Sequence, residues 1–246
     1  MANDWVIGRQ AVKEAIRAGH RTQSLLVAEG AGRGKAGLGP ILQLAKDRGI
    51  PVREVPRRKL DQLAEGGNHQ GIVAQVAAYK YADLEDLFRR AKERDEPPFF
   101  LLLDGIEDPG NLGSILRTAD AAGVHGVIIP KRRAAGLTVT VAKASAGAVE
   151  HVPIARVTNL NRAAEELKER GMWLVGSDIR ASDSFTQLDY NFPVGLVIGN
   201  EGKGISRLLK ERCDFLVRLP MKGRVPSLNA SVAGALLMYE VMRKRK

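Results

Sequence analysis

Residues Leu196-Val197-Ile198-Gly199-Asn200-Glu201-Gly202-Lys203-Gly204-Ile205-Ser206 turn from wholly apolar to polar and glycine-rich within a single step. A strand exposed on one face alternates apolar and polar residues, so the unbroken apolar run over 194–198 predicts a strand covered on both faces, as in a parallel sheet. Similar runs recur at 99–103, 126–129, 172–175 and 215–219, with helical patterns between most of them. The order predicts an α/β fold with a mostly parallel sheet. The last helix, expected over about 229–243, places Val232, Leu236, Leu237 and Met238 on its buried side, and Lys244-Arg245-Lys246 is expected to fray into solvent.

Two further loops sit where an apolar run gives way to a helix, the place where ligands bind in open α/β sheets. Asp104-Gly105-Ile106-Glu107-Asp108-Pro109-Gly110-Asn111 follows the run at 99–103, and Arg117 lies six residues beyond Asn111, under two helical turns. Leu219-Pro220-Met221-Lys222-Gly223-Arg224-Val225-Pro226-Ser227-Leu228-Asn229 precedes the last helix. Singly, these residues have plain structural readings: Asn111, Ser227 and Asn229 as N-caps, Glu201 as an acid favoured at a helix start, Arg117 as a surface cation. Three such loops together are far more specific than any one.

Composition narrows the partner. The 246 residues suit one large or two modest domains, and 38 Lys plus Arg against 28 Asp plus Glu give a formal charge of +10, which suits a polyanion. The single cysteine, Cys213, excludes an internal disulfide framework and points to the reducing cytoplasm. No run approaches a membrane span, no secretory signal is recognisable, and the four histidines are too scattered for metal spacing. A soluble protein with neither metal nor membrane partner is expected.

Outside the parallel-sheet region the chain changes near residue 80, where aromatic residues become frequent. Residues 1–80 read as a small α/β unit, with strands at 25–28, 51–55 and 71–77 and helices at 11–18, 40–48 and 58–64. Residues 81–98, with an amphipathic stretch at 83–90 and ending in Pro97-Pro98, are expected to form a linker to residues 99–246. Gly32-Arg33-Gly34-Lys35-Ala36-Gly37 matches a dinucleotide fingerprint, but Gly39 and Pro40 interrupt the helix that the pyrophosphate would need, so a basic loop is preferred over a nicotinamide site.

The three loops resemble the motifs of the SpoU family of RNA ribose 2′-O-methyltransferases, in the SPOUT superfamily. Ile7-Gly8-Arg9-Gln10 and Asn68-His69-Gln70-Gly71 resemble the ends of that family's small RNA-binding domain, itself similar in fold to a ribosomal RNA-binding protein. The resemblance is strongest to enzymes that methylate a guanosine ribose in large-subunit rRNA. It departs from them at Asn200, where alanine is common.

The resemblance implies S-adenosylmethionine as cofactor, held by Ile198, Gly199, Asn200, Gly202, Leu219, Met221, Ser227, Leu228 and Asn229. It implies Asn111, Arg117, Glu201, Ser227 and Asn229 as catalytic residues, and Arg9, Asn68, His69 and Gln70 as RNA contacts. Arginine is a poor base, so Arg117 reads better as an electrostatic clamp on the 2′-oxygen and a phosphate, oriented by Asn111 and Glu201. A C-terminal trefoil knot and a homodimer, with Arg117 supplied across the interface, come only from the family. The alternatives are a tRNA ribose methyltransferase of the same family and a non-catalytic RNA-binding protein.

Overall fold

The computed structural model describes residues 3–17, 22–31, 38–77, 79–225 and 227–245. The chain divides into two units, Met1–Lys80 and Tyr81–Lys246.

In the first unit, β1 (Asn3–Ile7), α1 (Arg9–Arg17), β2 (Thr22–Ala28), α2 (Gly39–Asp47), β3 (Val52–Val55), α3 (Arg57–Ala64) and β4 (Ile72–Ala77) follow in order. The strands form a mixed sheet in the order β1-β4-β2-β3, with β2 and β3 parallel and the other pairs antiparallel. Leu26, Leu60 and Val73 lie in one buried cluster, and Leu25, Val27 and Ile72 are buried as well. The glycine run 32–37 lies outside the described residues; α2 starts beyond it with a proline in its first turn.

The second unit contains α4 (Leu84–Glu93), β5 (Phe99–Asp104), α5 (Pro109–Ala121), β6 (Gly126–Pro130), α6 (Val139–Ala144), β7 (Ile154–Val157), α7 (Leu160–Glu169), β8 (Trp173–Ser177), β9 (Asp183–Ser184), β10 (Val194–Gly199), α8 (Arg207–Arg212), β11 (Phe215–Arg218) and α9 (Ala230–Lys244). Its strands form one sheet in the order β7-β6-β5-β10-β8-β11-β9, with each of these pairs parallel. The expected strands are therefore present, and their apolar runs are covered on both faces: Phe100, Leu101, Leu102, Val194, Leu196 and Val197 are all fully buried.

After β8 the chain makes β9 at the sheet edge, returns to the centre as β10, then crosses back to β11. Simple α/β windings avoid such crossings. The order is consistent with the knot the family resemblance implies. It also brings the carboxyl ends of β5 and β10 side by side, with Ile198 opposite Leu103 and Gly199 opposite Asp104.

Three expectations need correction. Residues 81–98 are no free linker: Leu87 and Ala91 of α4 are buried, Leu87 packs with Phe100 and Ile128, and a Cβ on Gly126 would lie 2.1 Å from Leu87 Cγ. The expected helix is there, but its apolar face completes the core of the second unit. On α9, Leu237 and Met238 are buried as expected, whereas Val232 and Leu236 are exposed at 47% and 44%. Nor does Arg245 fray: its guanidinium donates to the carbonyl oxygens of Pro97 at 2.7 Å, Pro98 at 3.0 Å and Phe192 at 2.7 Å. Burial pushes its pKa down to about 10. Cys213 is a free thiol whose Sγ lies 3.4 Å from the Leu209 carbonyl oxygen, and burial, aided by Asp214, pushes its pKa up to about 12.

Candidate active site

The loop after β10 is shaped by close backbone approach. A Cβ on Gly199 would lie 2.2 Å from the Gly204 carbonyl carbon, so only glycine fits where the loop folds back. Asn200 ties that loop: its Nδ2 donates to the Gly105 carbonyl at 2.9 Å, and its Oδ1 accepts from Gly202 N at 2.9 Å and Lys203 N at 3.3 Å. Asp104 accepts from Ser206 N at 2.7 Å, joining the end of β5 to the start of α8. Asn200 thus lines the site while its amide holds the loop together.

The three motif loops meet in a cluster of side chains. Asp108, not Asn111, caps α5, accepting from Asn111 N at 2.7 Å. That leaves the Asn111 amide free to donate to Glu201 Oε1 at 2.9 Å, while Asn229 Nδ2 donates to Asn111 Oδ1 at 2.8 Å and to Glu201 Oε1 at 2.5 Å. Glu201 Oε1 also accepts from Ala230 N at 3.2 Å, and Asn229 Oδ1 caps α9 through Ser231 N and Val232 N. One carboxylate of the second loop therefore gathers donors from the first and the third, and charge-assisted bonds of this kind are stronger than neutral ones.

Arg117 stands apart. It lies exposed on α5, does not line the cavity beside the cluster, and its side chain makes no hydrogen bond or ion pair among the described residues. Within the chain neither Asn111 nor Glu201 bonds to it; Asn111 Oδ1 and Glu201 Oε1 accept from Asn229 instead.

Beside the cluster is a cavity of about 610 Å³, within the usual range for small-molecule sites. Ile198, Gly199, Asn200, Gly202, Leu219, Met221, Ser227 and Leu228 all line it, as does Glu201. Asn229 is not in its wall and acts through the cap and the cluster. The Ser227 hydroxyl has no partner among the described residues and is available to a ligand. Apolar walls, the glycine cradle at Gly199 and this hydroxyl fit the adenosine portion of S-adenosylmethionine.

Sequence reasoning missed another wall, formed by Ser177 at the end of β8, by Asp178, Ile179 and Arg180 after it, and by Lys210 of α8. Burial disfavours the Asp178 carboxylate, but the Lys210 ammonium and the Arg180 backbone N–H outweigh it and hold its pKa below the ordinary range. The signal was available, since Ser177-Asp178 also follows an apolar strand at its carboxyl end. Among the described residues, no group of three or more His, Cys, Asp or Glu could hold a metal ion, and no helix is long and apolar enough to cross a membrane.

In the first unit, Arg9 and Gln70 line an open recess of about 560 Å³ together with Glu29 and Arg57. Arg9 N donates to Gln70 Oε1 at 3.2 Å and Arg9 Nε to the Gln70 carbonyl at 3.1 Å. Asn68 is exposed, its Oδ1 accepting from Gln70 N at 3.3 Å. His69 differs from the expected surface contact: it is only 4% exposed, with Nδ1 accepting from Gly71 N at 3.0 Å and Nε2 2.9 Å from Asp61. It braces the turn in which Gln70 and Gly71 take φ values of 50° and 82°.

Comparison with known proteins agrees with this division. Residues 5–82 match the family described as RNA 2′-O ribose methyltransferase substrate binding, and residues 98–239 match the SpoU rRNA Methylase family. A Bacillus subtilis protein assigned to the TrmH family of tRNA/rRNA methyltransferases is 59% identical over 99% of this chain and 96% of its own. An AdoMet-bound rRNA methyltransferase from Sinorhizobium meliloti is similar in structure, with 28% identity and TM-score 0.64 over 98% of this chain and 87% of that one. A TrmH/SpoU tRNA modifying enzyme of A. aeolicus, 29% identical with TM-score 0.56, covers only 64% of this chain and 83% of its own. With its polar cluster joining three loops beside a cavity, and with these matches along nearly its whole length, the chain belongs to the SpoU family of RNA 2′-O-ribose methyltransferases.

Proposed function

We propose that the chain methylates the 2′-hydroxyl of a guanosine ribose in large-subunit ribosomal RNA. The observation that carries the choice of rRNA is the extent of likeness: the rRNA enzyme matches both units, whereas the tRNA enzyme matches 64% of the chain. Guanosine is the base the family resemblance implies, and the free Cys213 thiol suits the cytoplasm, where such RNA is processed.

S-adenosylmethionine, when bound, supplies the electrophilic methyl group. Ile198, Leu219, Met221 and Leu228 would hold it in the cavity, with Ser227 as a polar anchor. Asn111, Glu201 and Asn229 hold the three loops in register, so the site is formed before RNA arrives. Positioning of this kind can supply several kcal/mol of a displacement barrier, on the order of 7–11 at best.

Arg117, with no partner among the described residues of its own chain, suits a site completed by a second copy. The face of α9 bearing Val232, Leu236, Tyr239 and Met242, each more than 40% exposed, would bury between two copies, and α9 packs against the helix that carries Arg117. The guanidinium would clamp the developing alkoxide and a neighbouring phosphate.

Methyl mapping of rRNA from cells with and without the gene tests the substrate; an unchanged rRNA pattern with a lost tRNA methyl group would select the tRNA reading. Mixed dimers test the interface. Arg117→Ala and Leu228→Asp homodimers should each be inactive, and reassociated heterodimers should regain activity through their one intact site. Failure of the mixture to recover would place Arg117 and the cavity in the same subunit's reaction.

A further inference from the structure

The substrate-binding match ends at residue 82, yet the second unit carries its own concentration of positive charge beside the catalytic loops. Lys131, Arg132 and Arg133 follow directly on β6, and all three are exposed. None of their side chains has a hydrogen bond or an ion pair among the described residues. Since the sheet is parallel, they emerge at the same edge as the loops after β5 and β10. In the order β6-β5-β10, β6 stands two strands from the glycine loop, about 10 Å.

The backbone of this segment is held firmly. Ala135 N donates to the Ile106 carbonyl at 2.8 Å, which fastens it to the loop leading to Asn111. Lys131 N donates to the Val157 carbonyl at 2.8 Å, and Arg156 donates to the Lys131 carbonyl at 3.2 Å. Tyr81 Oη accepts from Leu137 N at 3.1 Å. Farther on, a Cβ at Gly113 would lie 2.3 Å from Ala144 Cβ, so α6 packs against α5 next to the turn bearing Asn111. Arg133 has φ 58°, the left-handed conformation that favours glycine. The chain keeps a long cation at a position where glycine would be less strained, and such an outlier suggests a task for the side chain.

We propose that Lys131-Arg132-Arg133 is a docking site for backbone phosphates of the substrate RNA, set alongside the catalytic loops by the Ala135–Ile106 bond. It rests on the RNA methyltransferase reading and gives the second unit its own hold on the strand close to the reacting ribose. Phosphate contacts fix register and orientation without reading sequence, so the base is selected elsewhere.

The test uses the full chain with Lys131, Arg132 and Arg133 all changed to Ala, and separately Arg133→Gly. Binding of a single-stranded RNA oligomer is measured across a salt series, and methyl transfer to unmethylated rRNA is measured for KM and kcat. The triple variant should bind the oligomer about tenfold or more weakly, with a salt dependence shallower by about two, from roughly 0.7 for each phosphate no longer neutralised. Its KM for rRNA should rise correspondingly, with kcat and S-adenosylmethionine affinity within about twofold. Arg133→Gly should weaken RNA binding while leaving thermal stability equal or higher, opposite directions that a merely structural arginine would not give. Unchanged oligomer affinity and salt slope in the triple variant would overturn the proposal. A wild-type protein that binds the oligomer but methylates no rRNA would instead overturn the substrate reading, leaving the binding comparison to judge the loop.

Discussion

His69 in the first unit and His125 in the second use one device in two settings. Each ring is buried, each Nδ1 accepts a backbone N–H (Gly71 at 3.0 Å, Phe99 at 3.1 Å), and each Nε2 lies 2.9 Å from a carboxylate, Asp61 or Glu96. With Nδ1 accepting, the ring proton sits on Nε2 and the imidazole is neutral. What differs is the backbone each one holds. His125 fixes the first residue of β5, whereas His69 fixes a left-handed turn that displays Gln70 at an open recess. A buried histidine is thus no sign of chemistry by itself; its meaning comes from the strand or turn that it steadies.

The contrast can be broken first at His125. Burial, only partly offset by Glu96, pushes its pKa down to about 4 from 6.5. Between those values the unfolded chain takes up a proton that the folded chain refuses, so stability should fall as pH drops from 6.5 towards 4, by roughly 3 kcal/mol. Chemical denaturation at pH 7 and pH 4.5 measures it, and His125→Asn should flatten this part of the profile. A wild-type stability that stays level over the range would mean that the ring is charged in place.

A smaller effect is expected from His69→Ala, which leaves Gly71 N–H without its acceptor. The loss should be about 1–3 kcal/mol in unfolding free energy, together with weaker RNA binding and unchanged S-adenosylmethionine affinity. If RNA binding holds while stability falls, the turn at Gln70 is scaffold only, and the two histidines no longer differ. Smallest of all should be Asp61→Asn and Glu96→Gln. Both carboxylates are largely exposed, with side-chain exposures of 60% and 53%, and exposed pairs contribute about 1 kcal/mol or less. A larger loss at either position in thermal unfolding would make the carboxylate, and not the backbone bond, the main partner of its ring.

Much of the fold could be read because central parallel strands bury both faces and advertise themselves as unbroken apolar runs. The strands that escaped notice are Asn3–Ile7, Ile154–Val157 and Asp183–Ser184, and all three lie at sheet edges. An edge strand such as Ile-Ala-Arg-Val has less to bury and shows a weaker pattern. In the site, Asn111, Glu201 and Asn229 could be picked out because each lies in a glycine-rich loop after or before a core element. That they bind one another and leave Arg117 alone could not be foreseen, since it depends on distances between loops 28, 90 and 118 residues apart. Asp178 could have been picked out at the end of its apolar strand, but its pairing with Lys210 was hidden for the same reason, since it joins the end of β8 to α8 across 32 residues.

The half-buried thiol of Cys213 has a practical consequence for studying motion in this enzyme. With its pKa raised to about 12, very little thiolate forms at neutral pH, and thiolate is the form that reacts with maleimide and other alkylating probes. Since the chain has no other cysteine, the native protein is close to spectroscopically silent towards such reagents. A cysteine introduced at Lys131 or Met242 could therefore carry a fluorophore or spin label at one chosen point, allowing the approach of that point to RNA to be followed without first removing a native side chain.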